Sequence, residues 1–154
     1  MVNNINYRCA VEGILVKNNK VFICKRAENC LVKPGVWNVP AGKVKFVETP
    51  NEAIKREMLE ETKIDISNYF TKRICERAFE GKDSEGNSTY RLVFTYVIYA
   101  NNIEPKLDEE HSEGKWVSCD ELHEYESLNK DLLENIKKAL SEEIGENNDD
   151  WWKR

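Results

Sequence analysis

Three glutamates in the sequence are spaced so that a helix would place them on one face: Glu57, Glu60 and Glu61. Successive helical residues turn by about 100°, so residues at i, i+3 and i+4 stand side by side. Like charges at these spacings repel each other by a few tenths of a kcal/mol per pair. A divalent cation would relieve this repulsion, because Mg²⁺ is held by carboxylate oxygens together with the phosphates of a substrate.

The same helix also allows an interpretation without a metal. Glu52, Arg56 and Glu60 follow one another at i, i+4 spacing, and ladders of such ion pairs are common on solvated helix faces. On the helix alone, the solvated ladder is the more ordinary explanation. The residues around the helix must therefore decide between the two.

The start of this helix is marked in the sequence. The Thr49 hydroxyl can accept a hydrogen bond from a first-turn N–H, and Pro50 suits the first helical position. Glu52, three residues after Thr49, would complete a capping box. These signals predict a helix that begins at Pro50 and follows a loop carrying Glu48.

The loop and the helix together form a longer pattern, G-x5-E-x7-R-E-x-x-E-E, which starts at Gly42 and passes through Glu48 and Arg56. This pattern resembles the signature of the Nudix hydrolase family, which ends in REUxEExGU, where U is a bulky aliphatic residue. Met58 and Ile64 occupy the two U positions. A match of this length is far more specific than a short glycine motif.

One position departs from the signature, because Lys63 stands where the family has glycine. That glycine normally ends the helix in a left-handed conformation, which costs any other residue about 1–2 kcal/mol. We therefore expect either a strained helix end or a different one. Lysine here replaces no metal ligand, so the departure leaves the chemistry untouched.

The resemblance implies a metal site and the residues that arrange it. The implied metal ligands are Glu57, Glu60, Glu61 and the backbone carbonyl of Ala41, which lies in a Pro-Ala-Gly turn. Arg56 is assigned to the catalytic set as the residue that pairs with Glu48 and holds the loop against the helix. Gly42 and Glu48 are the implied site-organising residues.

The resemblance also implies a general base and a substrate contact. The base is either a helix glutamate (Glu57 or Glu60) or a glutamate of a late acidic loop. In that loop Glu110, six residues before Trp116, is the best match, with Glu109 and Glu113 as alternatives; a solvated run of charges explains them equally well. Arg26, at a predicted strand end, is either a substrate-binding residue or an ordinary surface arginine.

The implied reaction is hydrolysis of a phosphoanhydride bond in a substrate that contains a nucleoside diphosphate. This reaction needs an in-line nucleophile and neutralisation of phosphate charge. Mg²⁺, or Mn²⁺ in its place, would supply the neutralisation and lower the pKa of a bound water. A small nucleotide such as a nucleoside triphosphate is the favoured substrate. The alternatives are an RNA 5′ end and a non-catalytic module that binds a nucleotide and regulates a partner.

Composition limits the class of protein. A chain of 154 residues with 40% hydrophobic and 33% charged residues is typical of one globular domain. The net charge of −5 argues against a general nucleic-acid binder. The absence of a long apolar run and of a secretory signal, with five scattered cysteines, favours a cytoplasmic protein with reduced thiols, most of them in the core.

The expected fold class is α/β, and the resemblance implies an α/β/α sandwich with a mixed β-sheet. A single Nudix domain is predicted over residues 1–144, and a polar tail over residues 145–154. In the tail, Trp151 and Trp152 could serve as a docking segment, a homodimer contact or part of a lid. The predicted elements are strands at 7–16, 20–26, 71–80, 89–100 and 115–118, an acidic loop at 101–113, and a helix at 128–144 stopped by Gly145.

Overall fold

The structure is a computed structural model that describes residues 6–31, 33–125 and 128–146. The described elements, in chain order, are strands β1 (Asn6–Lys17), β2 (Lys20–Arg26), β3 (Trp37–Asn38) and β4 (Ala41–Lys43), helix α1 (Pro50–Thr62), strands β5 (Phe70–Lys82), β6 (Ser88–Tyr99) and β7 (His111–Val117), and helix α2 (Lys130–Glu146). Two 3₁₀ helices, Ile66–Asn68 and Cys119–Glu124, complete the list.

The seven strands form one mixed sheet with the order β3-β2-β1-β6-β5, in which β4 also pairs with β1 and β7 with β2. Strands β1 and β6 are parallel, and every other pair is antiparallel. Both predicted hairpins are present, β1–β2 and β5–β6. Strand β6 lies between β1 and β5, as its dense β-branched and aromatic composition predicts.

Each face of the sheet is covered by one helix. Since successive strand residues point to opposite faces of the sheet, their side chains form two separate cores, one beneath each helix. The core beneath α1 includes Leu15, Phe22, Ile54, Met58 and Ile98. The core beneath α2 includes Ile14, Ile23, Val97, Leu132 and Ile136. The predicted α/β/α sandwich is therefore confirmed, and α1 lies against strand β4.

The capping signals at the start of α1 are all used. Thr49 is the N-cap, and its hydroxyl accepts a hydrogen bond of 3.1 Å from the Glu52 N–H. The Glu52 carboxylate in turn accepts from the Thr49 N–H at 3.3 Å, and Pro50 is the first helical residue. Four consecutive residues thus fix where the helix begins and the direction in which it leaves the loop.

Lys63 ends α1 in the left-handed conformation that the family signature assigns to glycine. Its backbone has φ 62° and ψ 22°, and its N–H donates to the Leu59 carbonyl at 3.1 Å. The Lys63 ammonium also donates to the Glu60 carbonyl at 3.1 Å. The chain therefore keeps the helix end of the family and carries the strain of a side chain there.

We expect Lys63→Gly to raise the free energy of unfolding by about 0.5–1 kcal/mol. The gain is the left-handed penalty of about 1–2 kcal/mol, less the entropy cost of glycine of about 0.5–1 kcal/mol. Urea unfolding of the variant and the wild type measures this difference in the free energy of unfolding. Lys63→Ala is the matched control, since it removes the ammonium but keeps Cβ and should bring no gain. Equal stability of the two variants would contradict a strained lysine.

Three expectations from the sequence are wrong in detail. Strand β7 begins at His111 rather than at residue 115, because pairing with β2 extends it into the acidic segment. Helix α2 starts at Lys130 and continues through Gly145 to Glu146, so the glycine does not stop it. All five cysteines are free, but only Cys24 is in the core. Trp151 and Trp152 lie outside the described residues.

Candidate active site

Arg56 joins helix α1 to the loop before it. Its guanidinium makes two hydrogen bonds to the Glu48 carboxylate, of 2.7 Å from Nε and 2.9 Å from Nη2. Nη2 also donates to the carbonyl of Lys43, the last residue of β4, at 2.8 Å. The hydrogen bonds from Arg56 hold the pKa of Glu48 at about 2, well below its usual value. The predicted Glu48–Arg56 pair is therefore present, and it fixes the loop against the helix.

The remaining guanidinium nitrogen of Arg56 holds two of the three glutamates. Nη1 lies 2.7 Å from Glu57 Oε1 and 3.2 Å from Glu60 Oε2. The Arg56–Glu60 step of the solvated ladder thus exists, but Glu52 is engaged in the capping box instead. Arg56 therefore holds the carboxylates of Glu57 and Glu60 together, instead of serving only as one step of a solvated ladder.

Gly42 is required by the position of Glu57. A Cβ atom at Gly42 would lie 2.0 Å from Cδ of Glu57, a distance that real Cβ atoms do not show. In β4 the preceding residue is Ala41, opposite Glu12 in the β1 register. The Pro-Ala-Gly turn therefore brings backbone, rather than a side chain, against the glutamate face.

Glu61 differs from the other two glutamates because it is buried. Only 5% of the residue is exposed, and when both carboxylates are charged its Oε2 has no hydrogen-bond partner among the described residues, whereas a protonated Glu61 lies within hydrogen-bond reach of Glu57. Burial, helped by the charges of Glu57 and Asp108, raises the Glu61 pKa to about 9. Burial also raises the pKa of Glu57. A buried carboxylate oxygen without a partner is costly, so a ligand at this point would stabilise it.

The three glutamates share one cavity of about 630 Å³ with the acidic loop. Its lining residues are Glu57, Glu60, Glu61, Lys63, Leu107, Asp108, Glu109 and Glu110. Two backbone hydrogen bonds of 2.8 Å hold the loop there, from Lys106 N–H to the Thr62 carbonyl and from Ala27 N–H to the Glu110 carbonyl. The fold thus brings Glu110 and its alternative Glu109 to the helix glutamates, although more than 45 residues separate them.

The other two predicted residues lie at the edge of this arrangement. Glu113 is in β7, pairs with Lys25 in the strand register and forms an ion pair with Lys115 at 3.4 Å, away from the cavity lining. Arg26 ends β2, half-buried and in register with His111. The strand end that carries Arg26 is therefore attached to the acidic loop.

Two residues of the site were missed from the sequence, His111 and Asp108. The His111 ring lies between two carboxylates, with Nδ1 2.7 Å from Asp108 Oδ1 and Nε2 3.5 Å from Glu61 Oε1. No spacing rule connects a histidine to a helix glutamate 50 positions earlier. The one signal in the sequence for a role of His111 was its position in an acidic run just before a predicted strand.

The carboxylate oxygens at this cavity are the type of ligand that a hard divalent cation prefers. Among the residues described, no group of three or more His, Cys, Asp and Glu side chains converges on a common point, and Arg56 pairs with the carboxylates of Glu57 and Glu60. The three helix carboxylates at the cavity, with the buried Oε2 of Glu61 lacking a partner in the described part of the chain, nevertheless supply the oxygen ligands that such cations select.

Comparison with known proteins identifies the family. The NUDIX domain pattern matches residues 7–143. The chain therefore belongs to the Nudix family, which confirms both the resemblance and the assignment to the hydrolases of phosphoanhydride bonds.

Individual relatives are distant but cover most of the chain. The 8-oxo-dGTP diphosphatase of Buchnera aphidicola subsp. Schizaphis graminum is 26% identical over 139 residues, 88% of this chain and 98% of the relative. The RNA pyrophosphohydrolase of Pelagibacter ubique is 29% identical over 149 residues, 83% of this chain and 89% of the relative. The crystal structure of a MutT protein from Methanosarcina mazei Go1 superposes with a TM-score of 0.70 at 24% identity, covering 92% and 99% of the two chains, and so supports the fold.

Within the described part of the chain, neither helix is long and apolar enough to cross a membrane.

Proposed function

We propose that the chain is a Mg²⁺-dependent hydrolase, with Mn²⁺ as the alternative metal, that cleaves a phosphoanhydride bond in a small nucleotide. The observation that carries this proposal is the glutamate cavity: Glu61 Oε2 is buried without a hydrogen-bond partner among the described residues, between carboxylates from α1 and from the acidic loop. The names of the relatives, a diphosphatase of a nucleoside triphosphate and an RNA pyrophosphohydrolase, support the same reaction type.

Four residues would hold the metal: Glu57, Glu60, Glu61 and the backbone carbonyl of Ala41. When bound, the ion neutralises phosphate charge and lowers the pKa of a bound water. The chain's own contribution is positioning. Arg56 sets two of the carboxylates and ties them to the loop through Glu48. Gly42 leaves the space that Glu57 occupies.

Glu110 is the proposed general base. Its side chain is exposed at the cavity, and its backbone carbonyl is fixed by the Ala27 N–H at 2.8 Å. A positioned carboxylate there can take a proton from the attacking water while the helix glutamates remain ligands. Glu109 lines the same cavity and is the alternative within the loop.

We expect Glu110→Gln to lower kcat by about 10²–10⁴-fold, the usual contribution of a general base, with little change in KM. Glu109→Gln is the matched control, because it removes the same charge from the same cavity and should leave kcat within about threefold, a free-energy change under about 1 kcal/mol. Steady-state kinetics with saturating Mg²⁺ measures both. A large loss in Glu109→Gln alone would move the base to Glu109, and no loss in either would move it to α1.

The candidate substrates differ in the group that is joined to the nucleoside diphosphate. The net charge of −5 favours a small nucleotide over RNA, whereas the similarity to an RNA pyrophosphohydrolase favours testing RNA as well. Arg26, next to the loop that carries Glu110, is the proposed substrate-binding residue.

A nucleotide panel with identified products tests the proposal. It should include nucleoside triphosphates, an oxidised triphosphate, dinucleoside polyphosphates, ADP-ribose and a 5′-triphosphate RNA. We expect Mg²⁺-dependent release of phosphate or pyrophosphate from a small nucleotide. Release from RNA alone would select the RNA activity, and nucleotide binding without any product would select a regulatory module.

Cytoplasmic location and a homodimer also stay predictions.

A further inference from the structure

His111 is enclosed between two acidic side chains at the point where the acidic loop becomes strand β7. Only 5% of its side chain is exposed. One ring nitrogen faces Asp108 at 2.7 Å, and the other faces Glu61 Oε1 at 3.5 Å. Burying an imidazole is favourable only when its nitrogens have partners, so the ring has a defined orientation.

Asp108 determines that orientation. Its Oδ1 faces Nδ1 of the ring and also accepts the Glu110 N–H at 3.2 Å. The carboxylate is thus held by backbone as well as by the ring. A histidine fixed in this way at one nitrogen presents the other nitrogen in a single direction, which here is toward Glu61.

The backbone of His111 is anchored in the sheet rather than in the helix. It pairs with Arg26 of β2, and the neighbouring Glu110 carbonyl accepts the Ala27 N–H at 2.8 Å. The three helix glutamates therefore have two different supports. Arg56, from the same helix, holds Glu57 and Glu60, while His111, from the sheet, contacts Glu61.

We propose that His111 is a positioning residue for Glu61: with Asp108 it fixes Glu61 Oε1, and leaves the buried Oε2 for a divalent cation. Outer contacts of this kind orient metal-binding side chains and are worth about 10–100-fold in metal affinity. The inference rests on the proposed function, since it assumes that Glu61 is a metal ligand.

Mn²⁺ binding without substrate, followed by electron paramagnetic resonance, tests the inference directly. We expect His111→Ala to weaken Mn²⁺ binding by about 10–100-fold, with KM for the nucleotide little changed. His111→Gln, whose amide can reach Glu61, should recover most of the affinity. The matched control is His123→Ala, because His123 is exposed in the 3₁₀ helix, where its Nδ1 lies 2.7 Å from the Asp120 carbonyl oxygen.

The outcomes separate the inference from the proposed function. Mn²⁺ affinity of His111→Ala within about twofold of the wild type, under 0.5 kcal/mol, would overturn the positioning role. If that variant fails to fold, Asp108→Asn keeps the ring but weakens its support, and unchanged affinity there would overturn the role equally. A wild-type protein that binds no Mn²⁺ would instead contradict the metal site itself.

Discussion

Glu61→Gln is expected to lower kcat by about a thousandfold while the protein still folds. A bound metal contributes several kcal/mol to catalysis, and about 4 kcal/mol corresponds to that factor. Glutamine keeps the shape of Glu61 but removes the charge and one ligand oxygen. The loss should exceed that of any residue outside the cavity, because Glu61 is the buried member of the set, at 5% exposure.

The fold is expected to survive because the substitution removes a repulsion. Burial, with the nearby carboxylates, already raises the Glu61 pKa to about 9, so the charged form is unfavourable in the metal-free protein. Urea unfolding should therefore show equal or higher stability for Glu61→Gln. Glu60→Gln should lose activity in the same way, and Glu52→Gln on the same helix is the control, since glutamine can also complete a capping box. Full turnover by either cavity variant with Mg²⁺ would reject the metal-site assignment.

Gly42→Ala is expected to lower kcat by at least about a hundredfold. The new Cβ would lie 2.0 Å from Glu57 Cδ and 2.2 Å from its Oε1. The carboxylate must then leave its place beside Arg56 Nη1, where it now lies at 2.7 Å. Displacing a metal ligand by an ångström can cost about 10²-fold, and the overpacking should cost about 1–3 kcal/mol of stability.

Gly86→Ala is the matched control for this prediction. Gly86 lies in the β5–β6 turn with φ +83°, and a Cβ there would meet no atom within 4 Å. It should lose some stability through backbone strain but keep full turnover. Kinetics of both variants with the same nucleotide give the comparison. Equal activity in the two would show that the space at Gly42 is not needed for Glu57.

Local signals explain why the centre of this site could be predicted from sequence. Thr49, Pro50 and Glu52 fix the helix start through contacts within four residues, and the Glu48–Arg56 pair spans a short loop. The family resemblance implied the α/β/α sandwich, and the predicted order of two hairpins and two helices agrees with it. The Lys63 conformation was also a local expectation, and the structure selected the strained of the two alternatives.

The remaining features depend on contacts between distant segments. Glu61 is buried because the acidic loop packs over α1, and no sequence spacing specifies that packing. Strand β7 starts early because β2 offers pairing partners as far as Arg26, with an irregular register between Lys25 and Arg26. His111 reaches Glu61 only through that strand start, so its role could not be seen before the fold was known.

The measurement that tests the central claim most directly is release of the identified hydrolysis product by metal-depleted protein before and after Mg²⁺ is restored. The substrate is the best nucleotide of the panel, and Glu61→Gln is assayed in parallel. The proposed metal site predicts no release in the presence of a chelator, recovery of release with Mg²⁺ in the wild type, and no recovery in Glu61→Gln. Full release by the wild type with the chelator present, or full recovery by Glu61→Gln, would contradict it.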